Sequence, residues 1–343
     1  MEKISRINNF DLLRLLASLQ VVIIHTSEHL KINLFFLKDI LKYFPGVSIF
    51  FTISGFLIYN SLKRNNDLKK YFRNRVLRIF PALVVCLIIT MILLSIFKVI
   101  NTSTLLNKEF WLYLLGQLTI FQYYTPDILR SWGVGTPNGS LWTIPVEFEF
   151  YLVLPLIVLV LTKIPLNLKL LLLAIISIAV NLYFGISETI YIKLLNVSVI
   201  PYLYCFLFGV FLCHNWGNIR KYFEGKALVW LVIYLLYCMF FGELFNFFKP
   251  GYHTNIIGFF SHFLLSCLTI SLAYSSTTLS DKLLKHNDIS YGIYIYHMLV
   301  INSLLSLNLQ KSLWHLFLVI FVTCILGWLS WHYIEKNFLR LKK

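Results

Sequence analysis

The first apolar stretch of the chain contains three ionisable residues, Asp11, Arg14 and His25. Arg14 and His25 are eleven residues apart, which in an α-helix is three turns plus about 20° and about 16 Å along the axis. Both side chains would therefore lie on one helix face. Histidine is the side chain best suited to proton transfer near neutral pH, so His25 is a candidate general base. The alternative is an ion pair between Asp11 and Arg14, with His25 as a polar residue at a helix end.

Further carboxylates that could assist His25 occur elsewhere in the chain. Glu147 and Glu149 open a later apolar stretch, after the turn-rich segment 133–139. Side chains two residues apart on a helix point about 160° apart, so only one of the two can face His25. The other would be structural, and we expect this of Glu149. Glu28, one turn after His25, could orient the imidazole or could be a solvated loop carboxylate.

An arginine-rich segment precedes Pro81. It contains Arg73, Arg75 and Arg78, and the last two are spaced to share a helix face. Because the planar guanidinium fork suits phosphate groups, these arginines are candidates for binding a phosphorylated substrate. Membrane orientation combined with binding of anionic lipids is the alternative interpretation.

The remaining polar residues of the apolar stretches have simpler interpretations. We expect His297 to be a buried histidine bonded to a neighbouring hydroxyl. Ser54 and Gly55 are interpreted as a small-residue contact between helices. The six cysteines lie in apolar stretches without the short paired spacings of zinc sites. Neither a metal site nor a disulfide framework is predicted.

These residues are embedded in a strongly apolar chain. Of its 343 residues, 58% are hydrophobic and 13% are charged, and the mean hydropathy is +0.75. A soluble domain has about 25% charged residues, so a water-soluble fold is excluded. The net charge of +15 comes from short runs of Lys and Arg between apolar stretches. Such runs are typical of membrane orientation signals, and no nucleic-acid partner is predicted.

The apolar stretches predict an all-α integral membrane protein with ten transmembrane helices. Each stretch supplies the about 17 to 25 residues that a membrane-spanning helix needs. The stretches are 10–27, 44–62, 79–100, 144–163, 168–186, 197–214, 227–245, 256–276, 290–309 and 312–334. An eleventh stretch, 110–124, is shorter and contains polar residues, so its length alone leaves open whether it crosses.

The distribution of basic residues orients the helices. The strongest basic cluster follows the second stretch and is predicted to be cytoplasmic. It consists of Lys63, Arg64, Lys69, Lys70, Arg73, Arg75 and Arg78. Both termini are then cytoplasmic, with 110–124 re-entrant or at the outer interface. His25 and Glu147 fall near the outer surface, although three lysines of the loop 28–43 would also lie outside. We expect a single membrane domain over 1–343, without an appended soluble domain.

Five blocks of the chain resemble, in the same order, motifs of the acyltransferase 3 family of integral membrane acyltransferases. They are FDLLR at 10–14 with His25, FFTISGFLI at 50–58, YFRNRVLRIFP at 71–81, SLWTIPVEFEFY at 140–151 and SYGIYIYH at 290–297. Any one block is weak, but five in order over nearly the whole chain are specific. Phe148 stands where the family often has a second adjacent Glu, and Thr143 where it often has Ser. Glu147 is therefore the matched carboxylate.

The resemblance implies a multi-pass enzyme of the bacterial cytoplasmic (inner) membrane. It would transfer an acyl group, usually acetyl, from cytoplasmic acetyl-CoA or another acyl-CoA to a hydroxyl of an envelope glycan. By this likeness Arg14 and His25 are active-site residues, and the block that contains Arg73, Arg75 and Arg78 binds the CoA. The expected partners are the acyl-CoA, an envelope glycan or lipid-linked sugar, and membrane lipids.

The mechanism and the acceptor remain open at this point. His25, oriented by Glu147, would act as a general base on the acceptor hydroxyl or would carry the acyl group itself. Polysaccharide, peptidoglycan, a lipid-linked sugar and a small secreted molecule are all compatible acceptors. The alternative function is a transporter or flippase of a lipid-linked glycan or small molecule, although the chain has no internal repeat that would favour it. An inactive scaffold is disfavoured because intramembrane charges such as Arg14 would be costly without a role.

Overall fold

A computed structural model describes residues 8–64, 67–160, 162–184, 194–241 and 256–342. All regular structure in these ranges is helical, which confirms the predicted all-α class. The α-helices are Phe10–His29, Phe36–Lys42, Gly46–Arg64, Leu68–Ile96, Thr102–Leu106, Lys108–Gln117, Thr143–Leu159, Leu166–Phe184, Leu203–His214, Trp216–Ile219, Ala227–Phe241, Ile256–Ala273, Leu279–Leu284, Ser290–Ser306, Leu313–Leu329 and Lys336–Leu339. Short 3-10 helices are Asp127–Leu129, Gly139–Trp142, Ile200–Tyr202 and Arg220–Tyr222, and Ser330–Glu335 is π-helical.

Seven helices in the described ranges are long and apolar enough to cross a membrane, and one bent pair raises the number to eight. The seven are Phe10–His29, Phe36–Arg64, Leu68–Ile96, Gly139–Leu159, Leu166–Tyr183, Ile256–Ala273 and Leu313–Leu339. The bent pair is Trp216–Tyr222 and Ala227–Phe241, which meet at 80°. The chain is therefore a multi-pass membrane protein.

The ten predicted stretches all contain a helix, but they are not equally long. The stretches 197–214 and 290–309 form the shorter helices Leu203–His214 and Ser290–Ser306, of 12 and 17 residues. The 12-residue helix is well below the about 17 to 25 residues of a straight crossing, and the 17-residue helix is at the lower end of that range. Residues 161, 185–186 and 242–245 of the predicted stretches lie outside the described ranges.

The segment 110–124 is only partly helical. Its helix, Lys108–Gln117, has 10 residues and is about 15 Å long, which is half the about 30 Å thickness of the hydrocarbon core. Asn107 caps its start by accepting a hydrogen bond from the backbone N–H of Glu109 at 2.9 Å. This helix is too short to cross the membrane. Its length is that expected of a re-entrant or interfacial segment.

Packing divides the chain into two compact units. The first unit consists of Met1–Ala17, Lys42–Leu68 and Val146–Asn287. The second unit consists of Ser18–Leu41, Lys69–Pro145 and Asp288–Lys343. The helix Phe10–His29 contributes to both, so Arg14 belongs to the first unit and His25 to the second.

In the first unit, the helices Gly46–Arg64 and Leu203–His214 approach each other closely at two glycines. A Cβ on Gly55 would lie 2.0 Å from the carbonyl oxygen of Phe206, and one on Gly209 would lie 2.1 Å from a backbone oxygen of the other helix. Small residues allow such backbone approach between membrane helices. The predicted small-residue contact at Gly55 is confirmed.

In the second unit, the helix Ser290–Ser306 anchors the turn-rich loop that precedes residue 140. The side-chain amide of Asn138 donates to the carbonyl of Ile295 at 2.8 Å. The amide of Asn302 donates to the carbonyl of Thr136 at 2.9 Å. These bonds fix the loop on this helix.

Candidate active site

His25 is hydrogen-bonded to a second histidine in the second unit. Its Nδ1 lies 2.9 Å from Nε2 of His297, and the two ring centroids are 5.1 Å apart. His297 is fully buried, at 0% exposure, whereas His25 is partly exposed. Ionisable side chains inside a membrane protein are costly and commonly functional. The paired imidazoles are therefore the centre of the candidate site.

The other ring nitrogen of His297 contacts the backbone of its own helix. Nδ1 lies 2.7 Å from the carbonyl oxygen of Tyr294, one turn earlier. The Tyr294 hydroxyl accepts a hydrogen bond from Thr143 at 2.9 Å and donates to the carbonyl of Ser140 at 3.1 Å. The predicted burial of His297 is confirmed, but the predicted hydroxyl partner is wrong. A backbone carbonyl and an imidazole take its place, because the helix turns His297 toward His25.

Two ionisable residues, Glu28 and His29, follow His25 at the end of the first helix. The ring centroid of His29 is 5.9 Å from that of His25. The carboxylate of Glu28 lies 3.2 Å from Nζ of Lys38, with 46% of the glutamate side chain exposed. Of the two alternatives for Glu28, the structure therefore favours the solvated carboxylate over the residue that orients His25.

In the first unit, Glu147 accepts two hydroxyl hydrogen bonds. Ser54 Oγ donates to Oε1 of Glu147 at 3.0 Å, and the hydroxyl of Tyr151 donates to the same oxygen at 2.5 Å. Ser54 is thus more than a small residue at a helix contact, because it also positions this carboxylate. The predicted pairing of Glu147 with His25 would join residues of different units and stays a prediction.

Two further contacts in the first unit agree with the structural roles considered for Asp11, Arg14 and Glu149. Nη1 of Arg14 lies 3.7 Å from Oδ1 of Asp11, so the ion pair considered as an alternative is present. Glu149 accepts a hydrogen bond from the backbone N–H of Val199 at 2.7 Å. That bond satisfies a backbone donor just before the 3-10 helix Ile200–Tyr202.

Arg78 forms an ion-pair cluster in the second unit. Its Nη2 bonds Oδ2 of Asp288, and its Nη1 lies 3.9 Å from Oε2 of Glu335. The two carboxylates are buried, with 6% and 1% of their side chains exposed. Ser290 donates to Asp288, and Ser330 donates to Glu335 at 2.9 Å. The charge of Arg78 is therefore matched within the protein.

The two other arginines of the segment have different surroundings. Arg73 is exposed and donates to the carbonyl of Leu341 at 3.0 Å. The guanidinium carbon of Arg75 lies 5.8 Å from the centroid of the Tyr71 ring, within reach of a cation–π interaction. The binding of CoA phosphates by Arg73, Arg75 and Arg78 stays a prediction.

Asp288 and Glu335 are site residues that the sequence alone did not identify, and the contact between His25 and His297 was not predicted either. Glu335 directly follows the last apolar stretch, 312–334, and the cost of burying a charge is the signal that could have indicated it. Nothing in the sequence pairs it with Arg78. Within the described ranges, no group of three or more His, Cys, Asp or Glu side chains could hold a metal ion.

Known proteins match this chain over nearly its whole length. The model of the acyltransferase 3 family, described as an acyltransferase domain, matches residues 7–332. Nodulation protein 10 of Rhizobium leguminosarum bv. viciae is 33% identical, over 98% of this chain and 94% of its own length. The O-acetyl transferase of Shigella phage Sf6 is 27% identical, over 97% of this chain and 96% of its own length.

A third relative is longer than this chain. The putative peptidoglycan O-acetyltransferase YrhL of Bacillus subtilis is 26% identical over 85% of this chain, but the match covers 50% of YrhL. No solved structure matches the chain.

Proposed function

Because the chain belongs to the acyltransferase 3 family and is a membrane O-acetyltransferase, we propose that it transfers acetyl from cytoplasmic acetyl-CoA to a hydroxyl of a cell-envelope or exopolysaccharide glycan. The family match over 7–332 supports treating both units as one acyltransferase domain. The relatives named O-acetyltransferases support an enzyme over the transporter or flippase alternative.

The proposed topology has ten crossings of the bacterial cytoplasmic membrane, with both termini in the cytoplasm. Helices in all ten predicted stretches support the count. Leu203–His214 directly follows the 3-10 helix Ile200–Tyr202, so the helical segment there is longer than the α-helix alone. The length of Lys108–Gln117 is compatible with a segment that does not cross. The basic cluster after the second stretch supports the orientation.

The donor would bind at this basic cluster. Arg73, Arg75 and Arg78 supply guanidinium groups for the phosphates of acetyl-CoA. Since Asp288 and Glu335 already match the charge of Arg78, that arginine would chiefly fix the segment, and Arg73 and Arg75 would make the larger direct contribution. The pantetheine arm would then run along the face of the first helix past Arg14.

The histidine pair is the observation that carries the proposed chemistry. His25 would take the proton of the acceptor hydroxyl while the hydroxyl oxygen attacks the thioester carbonyl. General-base catalysis contributes about 10²- to 10⁴-fold. Transient transfer of the acetyl group to His25 is the other route, and both routes need a ring nitrogen with a lone pair.

The acceptor class follows from the chemistry of the group transferred. An acetyl ester forms on a hydroxyl, and glycans are the hydroxyl-rich polymers of the cell envelope. YrhL is named for peptidoglycan, and this chain could act on peptidoglycan, on another polysaccharide or on a lipid-linked sugar.

Acetyl transfer by the purified full chain in lipid nanodiscs tests this function. Labelled acetyl-CoA and a crude envelope glycan extract are supplied to the wild type and to the Arg73→Ala/Arg75→Ala double variant. With the wild type, we expect label in the glycan. In the double variant, we expect the KM for acetyl-CoA to rise about tenfold, which corresponds to the loss of one charge-assisted hydrogen bond of about 1.5 kcal/mol. Lys221→Ala, which removes a basic residue outside the segment, is the control and should leave KM unchanged. Absence of acetyl-CoA consumption by the wild type with every glycan fraction would contradict the proposal.

A further inference from the structure

A chain of hydrogen bonds runs from a backbone carbonyl through one imidazole to another. We infer that His297 is a positioning residue for the reaction, and that it holds His25 in the tautomer whose Nε2 accepts a proton. The inference rests on the proposed function, because it concerns the base of the same transfer. It assigns a role to a residue that does not itself touch the substrate.

The direction of each bond in the chain follows from the carbonyl end. The Tyr294 oxygen can only accept, so Nδ1 of His297, 2.7 Å away, carries the hydrogen. A neutral imidazole has one donor and one acceptor nitrogen, so Nε2 of His297 has the lone pair. It therefore accepts a hydrogen bond from Nδ1 of His25 at 2.9 Å. The remaining nitrogen of His25, Nε2, is left with a lone pair.

This orientation matters because a histidine can exchange its two tautomers. Which nitrogen carries the hydrogen is set by the hydrogen bond that the other one makes. Without His297, Nδ1 of His25 would lose the acceptor that fixes it. A base that is itself oriented by a third group is the usual arrangement in nucleophilic catalysis.

His297 would also support the charge that His25 acquires. In the transfer, the proton of the acceptor hydroxyl moves to Nε2 of His25, the new C–O bond forms and the thioester C–S bond breaks. The CoA thiolate then takes the proton from His25, which returns to its neutral state. While His25 is cationic, its Nδ1–H donates to His297, which stays neutral because it is fully buried.

The ionisable neighbours that act on His25 are His29 and Glu28. His29 lies on the same helix, with its ring centroid 5.9 Å from that of His25. The charge of Glu28 is balanced by Lys38. The bond to His297 is therefore the contact that selects the tautomer of His25, and it can be examined without turnover.

Nitrogen NMR of the wild type in nanodiscs with ¹⁵N-labelled histidine tests the tautomer directly. The His25 signals are assigned by their loss in His25→Ala. We expect His25 as the Nδ1–H form with an unprotonated Nε2, and a shift toward the Nε2–H form in His297→Ala. The Nε2–H form in the wild type would overturn the inference, even if every variant folds well.

Kinetics of two substitutions separate positioning from packing. A glutamine at this position places an amide oxygen near the site of Nε2 and can accept from His25, whereas an alanine cannot. We expect kcat to fall about 10- to 100-fold in His297→Ala, the usual cost of losing such an orienting partner, and clearly less in His297→Gln, with an unchanged KM for acetyl-CoA. Equal losses in both variants would overturn the role.

A matched control removes another buried imidazole. His262, in the first unit, is bonded to the hydroxyl of Tyr204 at 2.6 Å and belongs to a different hydrogen-bond pair. His262→Ala should lower thermal stability as His297→Ala does, but it should leave the His25 tautomer unchanged. If only the positioning role of His297 is wrong, the enzyme transfers acetyl but His25 is in the Nε2–H form. If the proposed function is wrong, His25 is in the Nδ1–H form but no acetyl is transferred.

Discussion

Arg78 shows how a single residue can combine a proposed binding role with a structural one. Its guanidinium group lies against two carboxylates, of Asp288 and Glu335, whose side chains are almost completely buried. Buried ion pairs add little net stability when complete, but removal of one partner leaves an uncompensated charge and costs about 3 to 5 kcal/mol. Loss of Arg78 would therefore damage the fold as well as donor binding.

Arg78→Met should lower the free energy of unfolding by about 3 kcal/mol, the lower end of that range, because the arginine side chain is itself 19% exposed. Arg73→Met is the matched control, since Arg73 is exposed, and its effect should stay within about 0.5 kcal/mol. Unfolding monitored by tryptophan fluorescence in detergent micelles measures both. Equal stabilities of the two variants would show that the burial of Asp288 and Glu335 does not require the charge of Arg78.

For single residues, the sequence predicts which side chains share the face of one helix better than it predicts their contacts with side chains of another helix. The shared face of Arg14 and His25 follows from helical periodicity alone. The bond from His25 to His297 depends on how two distant segments pack and rotate, which no local pattern encodes. Asp288 and Glu335 were missed for the same reason.

At the scale of the element, the close contact between Gly46–Arg64 and Leu203–His214 depends on the absence of side chains. A methyl group at Gly55 would lie 2.0 Å from a backbone oxygen of Phe206, and a backbone atom cannot move aside as a flexible side chain can. The two helices would have to separate, and contacts on either side of the glycine would be lost. The helix Gly46–Arg64 also carries Ser54, which bonds Glu147.

Gly55→Ala should therefore lower the free energy of unfolding by about 3 kcal/mol, at the upper end of the cost of overpacking. Gly217→Ala is the matched control, because nothing lies within 4 Å of a Cβ built there. It should be neutral or stabilising by up to about 1 kcal/mol, through a less flexible unfolded chain. Thermal unfolding in nanodiscs measures both, and a Gly55→Ala protein as stable as the wild type would refute the close approach.

Apolar stretches of sufficient length identify helices, but they do not reveal where helices bend or stop. The stretch 227–245 was predicted as a plain crossing, whereas its helix meets Trp216–Tyr222 at 80°. The break between them contains Gly225, whose φ of +68° is easily adopted only by a residue without a side chain. A glycine beside basic residues in a loop is too common a pattern to predict such a bend.

At the scale of the whole molecule, the proposal requires the donor and the acceptor to be used on opposite sides of the membrane. The order of the five sequence blocks was sufficient to predict the family, and the matches over nearly the whole chain confirm it. The side of the membrane assigned to each substrate was predicted only through the distribution of basic residues, which orients the helices. The identity of the glycan could not be predicted, because no pattern in the sequence corresponds to it.

The most direct test of the central claim is acetyl transfer across the membrane of sealed proteoliposomes. Labelled acetyl-CoA is added outside, and the acceptor glycan is enclosed in the lumen, so that only molecules with their cytoplasmic face outward can use the donor. The account predicts labelled glycan in the lumen with the wild type and with His286→Ala, which alters an exposed histidine, and a loss of about 10²- to 10⁴-fold with His25→Ala. Unlabelled lumenal glycan with the wild type, or full transfer by His25→Ala, would contradict it.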